Sequence, residues 1–139
     1  MAKQLTSTVD VLKAMAHPVR LRLLAMMRGG ELCVCQMTAV LELAASTVSA
    51  HLADLKRAGL VEERKDGRWV LHRLADDASA KSHLEPAWKA IAQDPQVAAD
   101  ARVLRQLRRV PVADLCRADL DLGRLGIRRA AAAASRVRT

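Results

Sequence analysis

The spacing of apolar residues divides the chain into helices interrupted once by a strand-like stretch. Leu5, Val9, Leu12 and Met15 recur at helical intervals, with Thr6 or Ser7 as candidate caps and Asp10 close to the helix start. His17-Pro18 breaks the run, and Pro18 suits the first position of a new helix. From Val19 to Met27 apolar residues occur nearly all round (Leu21, Leu23, Leu24, Met26, Met27). That marks a buried central helix, which Gly29-Gly30 ends. A short third helix is expected over Glu31 to Leu43, followed by a connection at Ala44-Ala45-Ser46. A fourth is expected from about Ser46 to Ala58, stopped by Gly59. It carries Val48, Leu52 and Leu55 on one face and Ser46, Thr47, Ser49, Ala50 and Asp54 on the other.

The period then changes from helix to strand. Leu60 to Lys65 and Arg68 to Leu74 flank Asp66-Gly67, a two-residue hairpin signal. Helical spacing returns over Ala78 to Gln93 and Pro95 to Val110, as two segments or one helix kinked at Asp94-Pro95. Val112 to Leu122 fits a short amphipathic helix, and 130–134 is an alanine run inside an Arg-rich end. Helices followed by a small hairpin are the order of a winged helix-turn-helix, a mainly α fold with a small β-hairpin wing. Such a module places its second helix in the major groove and reads base edges from the helix start. Ser46, Thr47 and Ser49 supply small polar groups there, and His51 is placed to reach a phosphate. Lys65 and Arg68 put two cations at the wing tip.

Composition narrows the classes. At 139 residues the chain suits one domain. Residues 1–110 are expected to form the DNA-binding and dimerisation domain and 111–139 an Arg/Ala-rich, partly mobile tail. Phe and Tyr are absent and Trp69 and Trp88 are the only aromatics, which argues against stacked platforms for single-stranded nucleic acid. No stretch approaches the roughly 18 apolar residues of a membrane span, and no basic start followed by an apolar run suggests a signal peptide. A cytoplasmic chain without a membrane partner is expected. The net charge is +8. Residues 1–101 hold 13 Lys and Arg against 12 Asp and Glu, whereas residues 102–139 hold 10 Arg against three Asp. The DNA-binding expectation therefore rests on element order and not on charge. The arginine-rich end has two readings, a nonspecific attraction for phosphate or a solvated end dispensable for specificity, and deleting 123–139 should weaken binding to all DNA alike.

The segments Leu12-Lys13-Ala14-Met15-Ala16-His17-Pro18-Val19-Arg20-Leu21-Arg22-Leu23-Leu24 and Ser46-Thr47-Val48-Ser49-Ala50-His51-Leu52 resemble the ArsR/SmtB metal-sensing repressors. The likeness continues through Leu55 and Ala58-Gly59-Leu60-Val61, and Arg64-Lys65-Asp66-Gly67-Arg68-Trp69-Val70 is similar to their wing. It covers roughly residues 9–75. The resemblance implies a homodimer on palindromic, double-stranded operator DNA, released when a metal or metalloid binds. It places dimerisation on the first and last helices, where Leu5, Val9 and Leu12 would pack on Trp88, Ile91, Val103, Leu104 and Leu107. Two reading helices about 34 Å apart would then match one DNA turn. Ala50 stands where family members often carry a longer polar or basic side chain, which puts one DNA contact in doubt.

Three cysteines, Cys33, Cys35 and Cys116, are too few and odd in number for a disulfide scaffold. Glu31-Leu32-Cys33-Val34-Cys35 resembles the inducer site of arsenical-resistance repressors. Thiolates are soft ligands, suited to As(III) or Sb(III) as inducer, with no organic cofactor expected. Side chains two apart on a helix diverge by about 200°. Two thiolates at that spacing can share one ion only if the first turn of the third helix unwinds or is already loose. Thr38 stands where many arsenic sensors of this type have a further cysteine, which leaves Cys116 as the remaining thiol. Cys116 has two readings: a third ligand, in cis or across a dimer, or a small apolar residue beside Leu115. Related cadmium and lead sensors add N-terminal cysteines, which residues 1–32 lack. His83, Glu85, Asp94 and Asp100 offer no zinc pair on one helix face, and His17 and His72 read as helix-junction and wing-strand residues. The alternatives are a repressor sensing oxidants or reactive sulfur through a disulfide to Cys116, a cadmium or lead sensor, or a DNA-binding protein that senses nothing. A thiol enzyme is not expected, because no Gly-rich anion loop accompanies the cysteines and no Arg follows either at a phosphatase-like distance.

Overall fold

The computed structural model describes residues 2–129, so the alanine run at 130–134 lies outside the described residues. In chain order the elements are α1 (Ala2–Met15), α2 (Pro18–Met26), β1 (Leu32–Cys33), α3 (Val34–Leu41), α4 (Ala45–Arg57), β2 (Val61–Asp66), β3 (Trp69–Leu74), α5 (Ala78–Ala90), α6 (Pro95–Leu107) and α7 (Val112–Arg117). α3, the turn 42–44 and α4 form the helix-turn-helix, and β2 and β3 form the wing.

Local chemistry sets most boundaries. His17 caps α2 by accepting the Val19 N–H on Nδ1 at 3.1 Å. Asp94 caps α6, with Oδ1 accepting from Gln96 and Val97 at 2.8 and 3.2 Å. That cap and Pro95 divide the expected 78–110 stretch into two separate helices. α1 begins at Ala2, so Thr6 and Ser7 lie inside the helix and do not cap it. α7 stops at Arg117, and Asp119 and Leu120 follow with φ of 52° and 61°, which ends the helix expected to reach Leu122.

Two strand assignments differ from the sequence reading. Leu32 and Cys33, expected in the third helix, pair antiparallel with His72 and Leu71 of β3, giving a sheet of order β1-β3-β2. In the wing, Asp66 pairs with Trp69, so the turn residues are Gly67 and Arg68 rather than Asp66 and Gly67. Gly67 has φ 61° and Arg68 has no positive φ, the sign pattern of a type II′ turn with glycine first.

The core runs through every layer. Leu23 and Leu24 of α2, Met37 and Val40 of α3, and Val48, Leu52 and Leu55 of α4 are each at most 1% exposed. Each such side chain contributes roughly 1.5–3 kcal/mol. Arg20 and Arg22 of the central helix turn outward between neighbours. Arg20 donates to Asp54 (2.5 Å) and His51 (3.0 Å) of α4. Arg22 makes two 2.9 Å bonds to buried Asp100 of α6.

The segment 111–129, placed in the tail by the sequence reading, lies on this core, with Leu115, Leu122 and Ile127 all buried. Val103, Leu104 and Leu107, expected to face a second copy, are likewise buried inside the chain. Leu5, Val9 and Leu12 are 71%, 39% and 54% exposed, so α1 presents an apolar stripe that the chain itself does not cover.

Candidate DNA-reading surface and thiol cluster

α4 is seated by its buried face, which turns Ser46, Thr47 and Ser49 outward, all exposed on its first turns. Ala44 precedes the helix without a side-chain cap. The Thr47 and Val48 amides donate to Ala44 O at 3.0 and 3.1 Å, no side chain caps the start of α4, and a helix start of this kind favours an anion. Lys65 and Arg68 are exposed at the far end of the wing. His51 is half-buried behind this face, its ring 4.6 Å from that of His17 and its Nδ1 accepting from Arg20. Burial, then the neighbouring His17 and Arg20 charges, hold its imidazole below the ordinary histidine value. Arg20 is a residue that the sequence pattern misses, because it stands in a helix read as apolar nearly all round and buried. It braces α4 through Asp54 and His51.

The thiols lie at the opposite end of the helix pair. Cys33 is the N-cap of α3 in extended conformation (φ −84°, ψ 159°), and Cys35 is in the first turn. The premise that both sit on one helix is thus corrected: Cys33 ends β1, and no helical turn separates the two side chains. A reciprocal capping box holds this start. Gln36 Oε1 accepts the Cys33 N–H at 2.9 Å, and the Cys33 sulfur faces the Gln36 N–H. Cys116, 81 residues further on, brings its Sγ to 3.6 Å from Cys35 Sγ. Burial and the adjacent Cys33 and Cys116 push the Cys35 thiol up to about 12. Cys33 is buried, while Cys35 and Cys116 are half-buried. Among the described residues no group of three His, Cys, Asp or Glu side chains forms a ready ion site.

Cys33 is joined to the wing as well as to α3. It pairs with Leu71 of β3, and Glu31 just before it accepts from Arg64 Nε of β2 at 2.9 Å. Cys33 is therefore connected both to α3 and, through β1, to the wing.

Residues 17–63, which span α2, α3, α4 and the start of the wing, match the model of the bacterial regulatory protein arsR family. The chain is 38% identical to HlyU from Vibrio cholerae N16961 over 67% of its own length and 100% of that chain, with a TM-score of 0.60. The chain belongs to the ArsR family. This is a family of DNA-binding transcription regulators and not an enzyme class. The homodimeric winged helix-turn-helix DNA-binding domain Mb0332 from Mycobacterium bovis is 30% identical, with 68% of this chain and 85% of that one covered and a TM-score of 0.58. The arsenic resistance transcriptional regulator ArsR1 of Pseudomonas putida is 46% identical over 65 residues. That match covers 46% of this chain and 51% of ArsR1, so the chain spans about half of that relative. No helix among the described residues is long and apolar enough to cross a membrane.

Proposed function

We propose that this ArsR-family regulator is an arsenite- or antimonite-responsive repressor. On this reading it binds double-stranded operator DNA as a homodimer, with Ser46, Thr47 and Ser49 at base edges and backbone. Lys65 and Arg68 meet the flanking backbone, and His51 orders the helix behind them and reaches toward a phosphate. The exposed α1 stripe of Leu5, Val9 and Leu12 is the surface offered to the second copy.

The observation that carries the inducer reading is the approach of Cys116 to Cys35 within one chain, beside Cys33. The donors are all sulfur, which suits a soft trivalent metalloid and disfavours a hard cation. Arsenite is a neutral hydroxide, and its hydroxyl groups leave as water with the thiol protons, so a high thiol pKa does not oppose the exchange. The chain's own part follows from the capping box. To join Cys35 and Cys116 as a ligand, the Cys33 sulfur leaves the Gln36 N–H, which withdraws the cap from α3 and pulls on β1. Both movements reach the reading surface.

A gel shift of wild-type chain on a duplex selected from a random pool, titrated with arsenite, antimonite, cadmium and zinc, tests this. Release by arsenite and antimonite at concentrations where zinc has no effect is expected, with Cys116→Ser releasing only at much higher arsenite. Unchanged release in Cys116→Ser removes Cys116 from the ligand set.

A second reading rests on the same 3.6 Å separation. A hydroperoxide could oxidise Cys35 and Cys116 to a disulfide, the two thiols giving up two protons and two electrons that reduce hydrogen peroxide to two waters, or an organic hydroperoxide to its alcohol and one water. The raised Cys35 pKa disfavours this, because the thiolate is the species that attacks a peroxide. Release by hydrogen peroxide and not by arsenite would reverse the preference.

A further inference from the structure

The C-terminal segment grips α3 at both ends. At the helix start, α7 brings Cys116 to Cys35. At the helix end, Arg129 donates through Nη1 to Val40 O (3.0 Å) and through Nη2 to Ala39 O (2.5 Å). Its Nε lies 2.7 Å from Glu42 Oε1. The last carbonyls of a helix have no partner inside the helix, and a cation is favoured there by the helix dipole. Glu42 takes the left-handed C-cap position at φ 56° and its N–H donates to Thr38 O at 2.9 Å, and Arg129 adds partners for the next two carbonyls, Ala39 and Val40. Three residues after Glu42, at Ala45, α4 begins.

Arg129 is itself fixed. Gln106 of α6 clamps the backbone of Arg128, donating to its carbonyl at 3.2 Å and accepting its N–H at 3.3 Å. Ile127 beside it is buried, and its N–H donates to Leu122 O at 2.9 Å. The guanidinium thus reaches α3 from a backbone anchored to α6, which is in turn tied to α2 by Arg22 and Asp100.

We infer that Arg129 is a positioning residue for DNA reading: it holds the α3 C-terminus and the turn 42–44, and through them sets the angle at which α4 is presented. The inference rests on α4 being the reading helix and is independent of what the thiols bind. For Arg129 it predicts a selective loss, distinct from the uniform weakening expected on deleting 123–139. An arginine spent on helix carbonyls acts on the geometry of recognition, whereas one spent on phosphate acts on every duplex equally.

The test uses the full chain with Arg129→Ala, Arg129→Lys and Gln106→Ala. Binding is measured to a duplex selected from a random pool by the wild-type chain, and to poly(dI-dC), over a range of salt. Arg129→Ala is expected to weaken the selected duplex about tenfold, the loss of two charge-assisted bonds. Binding to poly(dI-dC) should fall much less, by only the long-range attraction of one lost charge, and the salt slope should change by well under about one. Arg129→Lys keeps the charge but not the two-pronged donor and should recover part of the loss. Gln106→Ala keeps Arg129 and should show a smaller loss of the same selective kind, which decides the matter if Arg129→Ala does not fold. Equal weakening on both DNAs with the slope reduced by about one would overturn the proposal and make Arg129 a phosphate contact. Amide exchange without DNA is the arm that does not need α4 to read bases. Residues 43–48 should exchange about tenfold faster in Arg129→Ala. Unchanged exchange there overturns the clamp itself, whereas faster exchange with unchanged selected-duplex affinity overturns the role of α4 and leaves the clamp standing.

Discussion

Replacing Asp100 by Asn keeps the shape of a buried side chain and removes its charge. Asp100 is 3% exposed and accepts two 2.9 Å bonds from Arg22, and Gln96 Nε2 donates to its Oδ1 at 3.0 Å. With Asn, one oxygen still accepts, but the other position becomes an N–H pointing at guanidinium donors. A hydrogen bond to a charged group contributes about 1.5–3 kcal/mol, and breaking a fully buried pair costs about 3–5 kcal/mol. The Arg22 side chain is 20% exposed, so water partly rescues it and the cost falls below the range for a fully buried pair. The expected loss is about 2–3 kcal/mol, and a fall in Tm of roughly 6–10 °C for a chain of this size. Urea unfolding followed by circular dichroism, at fixed protomer concentration because association would shift the midpoint, should show a lower midpoint at unchanged slope. Asp76→Asn is the control: its side chain is 93% exposed and pairs only with Lys81 at the surface, so its midpoint should not move. A loss below about 0.5 kcal/mol in Asp100→Asn would mean that α6 is seated by Val103, Leu104 and Leu107 alone, and that the Arg22 pair only fills space.

Cys35, with its thiol pushed up to about 12, should react with iodoacetamide at pH 7.5 at least about a hundredfold more slowly than free cysteine. Labelling at the free-cysteine rate would show that the three-thiol packing does not persist in solution. His72 is 5% exposed and burial holds its imidazole below the usual value. The unfolded chain therefore takes up the proton first, so stability is complete above about pH 6.5 and declines as pH falls below it. His72→Leu should flatten that decline, and a wild-type midpoint constant from pH 7 to 5 would contradict it. Gly67→Ala meets no atom within 4 Å but must adopt φ 61°, so it should cost about 1–2 kcal/mol through backbone strain alone and speed amide exchange in β2 and β3. Unaltered stability would show that the II′ turn rearranges freely.

The parts legible in the sequence are those with a period. α4 declares itself through Val48, Leu52 and Leu55, and these residues seat it as the spacing implies. The wing declares itself by its change of period, but its turn slips by one residue because Asp-Gly favours glycine second and the strand register puts glycine first. β1 is two residues long, too short to show alternation, and only its pairing with β3 defines it. Cys33 and Cys35 carry a local motif, whereas the meeting of Cys35 with Cys116 spans 81 residues and leaves no local trace. α7 buries Leu115 and the segment after it buries Leu122 and Ile127, and beyond Leu122 no helical or strand period remains, so composition alone reads that stretch as a tail.

That segment also changes what the charge means. Residues 102–139 hold 10 arginines against three aspartates, and a count of this kind invites a nonspecific DNA anchor. Within the described residues much of this charge is committed inside the chain. Arg108 donates to Gly30 and Glu31 carbonyls, Arg117 pairs with Asp114, Arg124 with Asp119 and Asp121, and Arg129 caps α3. Arg108 closes the loop just ahead of the thiols as Arg129 closes the turn just ahead of α4. Arg108 bonds backbone carbonyls and no carboxylate, while Arg129 adds Glu42 to its two carbonyls. An arginine bonded to a carbonyl keeps its charge, so the region still attracts phosphate at long range while its guanidinium groups do structural work at short range. Salt dependence measured on the wild-type chain therefore reports the field and not the contacts. Only substitutions that separate charge from donor geometry, as Arg129→Lys does, can assign the two roles.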